Sequence, residues 1–140
     1  MRFALSILRT LSALMISVSL LMFGNSMTST LLALRADIEN YSNEMIGFIA
    51  SGYFLGFAIG TFRSGPLINR IGHIRAFSAF SAVAAASVLL VLITSNAWAW
   101  VGLRAVMGAA AAGLFVVVES WLNNRATNNS RGILLSLYIM

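Results

Sequence analysis

The stretch AWAWVGLRAVMGAAAAGLFVVVESWL, residues 97–122, decides the architecture of this chain. One charge, Arg104, interrupts an apolar run that lasts until Glu119 near its far end. The hydrocarbon layer of a bilayer is about 30 Å thick and takes roughly 20 apolar helical residues to cross. Residues Ala97–Leu122 therefore read as a membrane-spanning helix. Working outward, Leu11–Leu34, Met45–Phe62 and Ala76–Thr94 read in the same way. A fifth apolar stretch, Gly132–Met140, rises only about 13–14 Å as helix, too little to cross. Backbone amides in lipid must pair within their own segment, so the spans are helices and not open strands. The expected fold is an all-α polytopic transmembrane bundle over residues 1–140, with four complete spans and an incomplete fifth. A chain that stops inside an element is expected to be the front part of a longer membrane domain. The links Arg35–Glu44, Arg63–Arg75, Ser95–Asn96 and Asn123–Arg131 are short, which makes consecutive helices antiparallel neighbours. The single proline, Pro66, is placed in the second link.

Composition agrees. Of 140 residues, 59% are hydrophobic and 9% charged, with a mean hydropathy of +0.88. A soluble domain carries about 25% charged residues, so too few polar groups exist to coat a water-facing globule. Most soluble enzymes, disordered tails and coiled coils are excluded. The absence of cysteine removes disulfide scaffolds, Cys-ligated zinc and thiol nucleophiles. One histidine, His73, and four scattered acids assemble no nucleophile–base pair and no metal cluster, so no enzyme, metal or cofactor is expected. All nine basic residues are arginines, giving a net charge of +5 and a pI near 11.2. A nucleic-acid binder would cluster them on one solvated face; here they stand singly between apolar runs, and the expected surroundings are membrane lipid. The first span follows Arg2 and Arg9, as a cleaved leader does. Its apolar run exceeds the usual 7–15 residues of a leader, and more spans follow.

Arginine placement orients the bundle. With links assigned alternately to two sides, one side holds Arg2, Arg9, Arg63, Arg70, Arg75, Arg125 and Arg131. The other holds Arg35 alone, beside Asp37, Glu39 and Glu44. Basic residues near span ends stay in the cytoplasm, which puts the N-terminus inside, in a multi-pass protein of the cell's inner membrane. Trp98, Trp100 and Trp121, at the two ends of the fourth span, fit interfacial anchors.

Several side chains stand out. An arginine at mid-membrane depth costs about 2.5–3.5 kcal/mol on insertion scales, so Arg104 either faces a cavity or partner, or snorkels to the headgroups. Gly108, one turn on, and the small run through Gly113 permit close helix packing. In the second span Gly52, Gly56 and Gly60 recur every four residues, a packing stripe of the same kind. Asn25 and Ser29, with Thr28 beside them, put polar groups on one face of the first helix, where they could line a substrate path or bond neighbouring helices. Glu119 lies about 22 Å along the helix axis from Arg104, too far for direct pairing. Its expected partners are Arg70, His73 or Arg75 in the second link. That link, Gly65-Pro-Leu-Ile-Asn69-Arg70-Ile-Gly72-His73-Ile-Arg75, reads physically as a tight basic turn.

The same link resembles the signature loop of the major facilitator superfamily, G-x-L-a-D-R-x-G-R-[RK]-[RK]. Gly65, Leu67, Arg70, Gly72 and Arg75 match in register, while Asn69 replaces the usual aspartate and His73 and Ile74 replace basic residues. Arg104 and Gly108 are similar to the family's fourth-helix pattern R-x-x-x-G, and the V-E-S-W phrase around Glu119 resembles a poorly characterised bacterial branch. The resemblance implies a secondary transporter with two six-helix halves, cargo held at mid-membrane and access alternating by rocking. It implies a closing latch at Gly65, Asn69, Arg70, Gly72, His73 and Arg75, with Glu119 as its fourth-helix acid. With Asn69 neutral, such a latch would rest on amide hydrogen bonds. It further implies a substrate or proton pathway at Arg104, Asn25 and Ser29, with Arg104 handling protons. Its partner would be the missing C-terminal half of the same protein, without which the piece would not transport its small, unidentified solute. The rival reading is a non-transporting four-helix scaffold or assembly subunit. A small dimeric drug exporter fits the size, but such exporters resemble one another in a first-span acid that Leu11–Leu34 lacks.

Overall fold

The computed structural model describes residues 2–125, which form four helices: α1 (Arg2–Ile38), α2 (Asn43–Ile71), α3 (His73–Ile93) and α4 (Ala97–Arg125). Each is long and apolar enough to cross a membrane, over Met15–Ile38, Asn43–Ile71, His73–Ile93 and Ala97–Asn124. No strand occurs among the described residues. The expected fifth segment, Gly132–Met140, and the link residues beyond Arg125 lie outside the described residues.

The turns are set by local chemistry. At the end of α1, Asn40 takes φ 58°, a left-handed conformation that asparagine tolerates. Its N–H donates to Asp37 O (2.9 Å), and the Tyr41 N–H donates to Ala36 O (3.0 Å). This pair of bonds is a Schellman closure. Ser42 then caps α2 by accepting from Met45 N. Asn96 caps α4, its Oδ1 accepting from the backbone N–H of Trp98 (2.9 Å) and Ala99 (3.2 Å). Between α2 and α3 stands one residue, Gly72, at φ 87° and ψ 158°, a region open essentially to glycine.

That single-residue turn corrects the expected link Arg63–Arg75. Helix α2 runs on to Ile71, so Gly65, Asn69 and Arg70 are helical, and Pro66 lies inside the helix. The reason is visible in the burial pattern. Gly52, Gly56, Gly60, Ser64 and Ile68 are all buried, so the inward stripe continues unbroken past Pro66. Ile68 packs with Ala76 and Val117. Packing of this kind outweighs the backbone bond that proline removes, and neighbouring groups make such prolines tolerable in spanning helices. The first link shrinks too, since α1 extends to Ile38 and α2 begins at Asn43, whereas the link between α3 and α4 is one residue longer than expected, Thr94 to Asn96.

Helices α2 and α4 run parallel and approach backbone to backbone. A Cβ added to Gly52 would lie 2.7 Å from Val101 O, and one on Gly60 2.6 Å from Ala109 O. One on Gly56, between them, would overlap Ala105 O outright. The contacts advance four residues on each helix at constant offset. From the other side Gly108 meets Tyr53 O, again with no room for a Cβ. Gly113 accommodates the Phe80 ring of α3. The core forms three layers along this seam. Leu32, Ala36, Ile49, Val91 and Trp100 fill one end, Tyr53, Met107 and Ala111 the middle, and Ile68, Ala76 and Val117 the Gly72 end. Helix α1 joins the core through Leu32 and Ala36, while Leu20, Phe23 and Leu31 stay exposed as lipid-facing or helix-facing surface.

Because overpacking costs about 1–3 kcal/mol, Gly56→Ala is expected to lower the thermal midpoint in detergent. Gly47, whose Cβ would meet nothing within 4 Å, serves as the control: Gly47→Ala should leave the midpoint unchanged or raised.

Candidate functional site

Arg104 sits inside the bundle. It is 4% exposed, and the seam between α2 and α4 is what places it there, because Ala105 and Gly108 press against α2 on either side. Its guanidinium lies 4.6 Å from the centroid of the Tyr53 ring, a cation–π contact with α2. Nη2 donates to Ser29 Oγ of α1 at 3.0 Å. The Ser29 hydroxyl spends its own proton on Asn25 O (2.9 Å), which leaves its lone pairs for the arginine. One charge thus joins three helices. The snorkelling alternative is corrected: the head of Arg104 turns inward, where ring and hydroxyl offset part of its desolvation. Nη1 remains buried without a hydrogen-bond partner among the described residues.

Two hollows flank this cluster. Asn25 and Thr28 border a pocket of about 240 Å³ between α1, α3 and α4. A larger groove, about 420 Å³, runs between α2 and α4 with Met22 of α1 at its edge, and is lined by Tyr53, Phe57, Thr61, Phe115 and Glu119. Glu119 is exposed and makes no ion pair among the described residues; the one pair found there is Arg35–Glu39. The expected pairing of Glu119 with Arg70, His73 or Arg75 is therefore corrected. Helical geometry accounts for it: Glu119 turns to the groove, and the next residue, Ser120, meets the α2–α3 turn, its Oγ 2.9 Å from His73 Nε2. Asn69, Arg70 and Arg75 are exposed at the same end.

The opposite end holds a knot that charge patterning alone does not reveal. Arg35 pairs with Glu39 at 3.2 Å and donates to Val91 O (2.8 Å) and Leu92 O (3.2 Å) at the α3 terminus. It also lies 4.9 Å from the Trp100 ring centroid. The Tyr41 hydroxyl donates to Ser95 O, and Trp100 Nε1 donates to Thr94 O at 2.7 Å. Trp100 is fully buried, which corrects its reading as an interfacial anchor; Trp98 is exposed at 64%. The i,i+4 spacing of Arg35 and Glu39 was the available signal. Tyr53 had none, because its role depends on the α2–α4 register. Among the described residues no three metal-ligating side chains gather.

A sequence profile of the Major Facilitator Superfamily matches residues 14–140. The chain belongs to the Major Facilitator Superfamily. It is a multi-pass membrane protein. It is 34% identical over 132 residues to the uncharacterised MFS-type transporter YcaD of Escherichia fergusonii, covering 94% of this chain and 35% of that protein. The uncharacterised MFS-type transporter Ent638_1421 of Enterobacter sp. (strain 638) and YcaD of Salmonella newport are each 33% identical over the same length and shares. The chain thus spans about a third of the length of the curated relatives it matches. No solved structure matches it.

The sign of two substitutions separates the roles at Arg104. Removing a buried charge outright can be neutral, whereas removing only its partner strands it. Arg104→Met should therefore shift stability in detergent by no more than about 1 kcal/mol, since relief of the insertion cost of about 2.5–3.5 kcal/mol offsets the missing ring and hydroxyl interactions. Ser29→Ala should cost about 1–3 kcal/mol. Thermal unfolding of both variants checks the ordering.

Proposed function

We propose that this chain forms the N-terminal part of a secondary active transporter of the cell's inner membrane. It moves a small solute by alternating access, with the C-terminal half of the same protein supplying the facing wall. The observation that carries this reading is the inward-turned Arg104, held by Ser29 and Tyr53, with Nη1 left without a hydrogen-bond partner among the described residues. Intramembrane charge is expensive and marks transport or proton pathways; a pure scaffold would gain nothing from keeping it.

The N-terminus is cytoplasmic in this reading. Arg63, Arg70 and Arg75 lie toward the Gly72 end, whereas Arg35 at the other end is neutralised by Glu39. The exposed Asn69, Arg70 and Arg75 meet the other half when the cytoplasmic side closes, Gly72 and His73 hold that turn in shape, and Gly65 lies about two turns back in α2. Arg104, Asn25 and Ser29 form the substrate or proton pathway, and coupling to protons passes through Arg104.

The 140 residues contain no cysteine, so a single reporter, Thr61→Cys in the groove, can be followed in the whole protein on a cysteine-free background. Its labelling by an impermeant maleimide from the cytoplasmic side should change severalfold when a pH gradient is imposed across vesicles. Arg104→Gln should remove that dependence. A labelling rate indifferent to the gradient in both proteins would favour a static scaffold.

A further inference from the structure

We infer that the groove between α2 and α4 takes an organic cation with an apolar body, its positive group on Glu119 and its rings against Phe57 and Phe115. The inference rests on the transporter reading and names the chemistry of its cargo. Three aromatic side chains follow one another along the groove. The Tyr53 and Phe57 rings are 6.2 Å apart at 34°, and the Phe57 and Phe115 rings 6.1 Å apart at 60°. Ring faces attract cations and apolar bodies alike. Pockets of this size take small molecules through mostly apolar walls and a few placed polar groups. Here Thr61 supplies a hydroxyl and Glu119 the charge.

The charge pattern fixes sign and direction. Glu119 stands one turn beyond Phe115 on the same helix face and has no ion-pair partner among the described residues, so the charge lining the groove is an anion. At the Tyr53 end the Arg104 guanidinium already occupies a ring face, and it repels a second cation there. The positive group of a cargo is thereby directed to Glu119 and its body toward Phe57. An anionic cargo would meet Glu119 unfavourably. A compact zwitterion cannot bridge the two charges, which are about 22 Å apart along α4.

Two probes of equal shape and opposite charge test this. Equilibrium binding of radiolabelled tetraphenylphosphonium to the whole protein in detergent should be saturable, whereas radiolabelled tetraphenylborate, measured in a separate experiment because the two ions pair in solution, should show no saturable binding. Glu119→Gln should weaken it about tenfold, a loss near 1.4 kcal/mol, and Phe115→Ala about three- to fivefold. Binding of tetraphenylborate in place of the phosphonium would overturn the inference, as would phosphonium binding unchanged by either substitution. The comparison of the two probes on the unsubstituted protein holds even where a variant fails to fold. If the Thr61→Cys reporter responds to the pH gradient while the phosphonium does not bind, the cation assignment fails and the transporter reading stands. If neither responds, both fail.

Discussion

The backbone-to-backbone approach of α2 and α4 is the constraint on which the rest depends. Lipid offers no hydrophobic drive for helices to associate, so close van der Waals contact must supply it. Small residues make that contact possible at Gly52, Gly56, Gly60 and Gly108, where no side chain separates the two backbones. The seam fixes a parallel register, and the register determines which side chains can meet. Tyr53 comes to lie under Arg104, and Phe57 beside Phe115. Neither contact could form with the helices a side chain further apart or one turn out of step.

Within that frame Arg104 is an expense that the bundle only partly offsets. A ring face and one hydroxyl hold it, while Nη1 has no hydrogen-bond partner among the described residues. The two ends are arranged differently. Around Trp100 a dense set of bonds ties α1, α3 and α4 together through Arg35, Tyr41 and Thr94. At the Gly72 end the link between α2 and α3 is one glycine, the His73–Ser120 contact reaches across to α4, and the charged side chains point outward.

Much of this is legible in the chain, for stated reasons. Long apolar runs announce the four helices, because crossing lipid demands them. The spacing of Gly52, Gly56 and Gly60 announces a contact face. Helix ends are harder. The polar residues from Arg63 to Arg70 suggest a loop, yet Ser64 and Ile68 carry the buried stripe onward and hold α2 together past Pro66. Trp100 departs from expectation because position near a membrane edge does not say which way a ring turns. Proximity along the membrane normal suggests pairing Glu119 with the basic turn, although its direction around the α4 axis points it elsewhere. The roles of Tyr53 and Phe57 cannot be found locally at all, since they follow from the pairing of two segments about fifty residues apart in sequence.

The parallel seam can be tested by cross-linking in membranes, using pairs of introduced cysteines. Ile68 and Val117 share the core layer at the Gly72 end, whereas Ile49 belongs to the layer at the Trp100 end. Oxidation should join Ile68→Cys to Val117→Cys rapidly and leave the pair Ile49→Cys and Val117→Cys unlinked. Efficient linking of the second pair with none of the first would mean that α2 and α4 do not run side by side in this register, and the placement of Arg104 and the groove would fall with it.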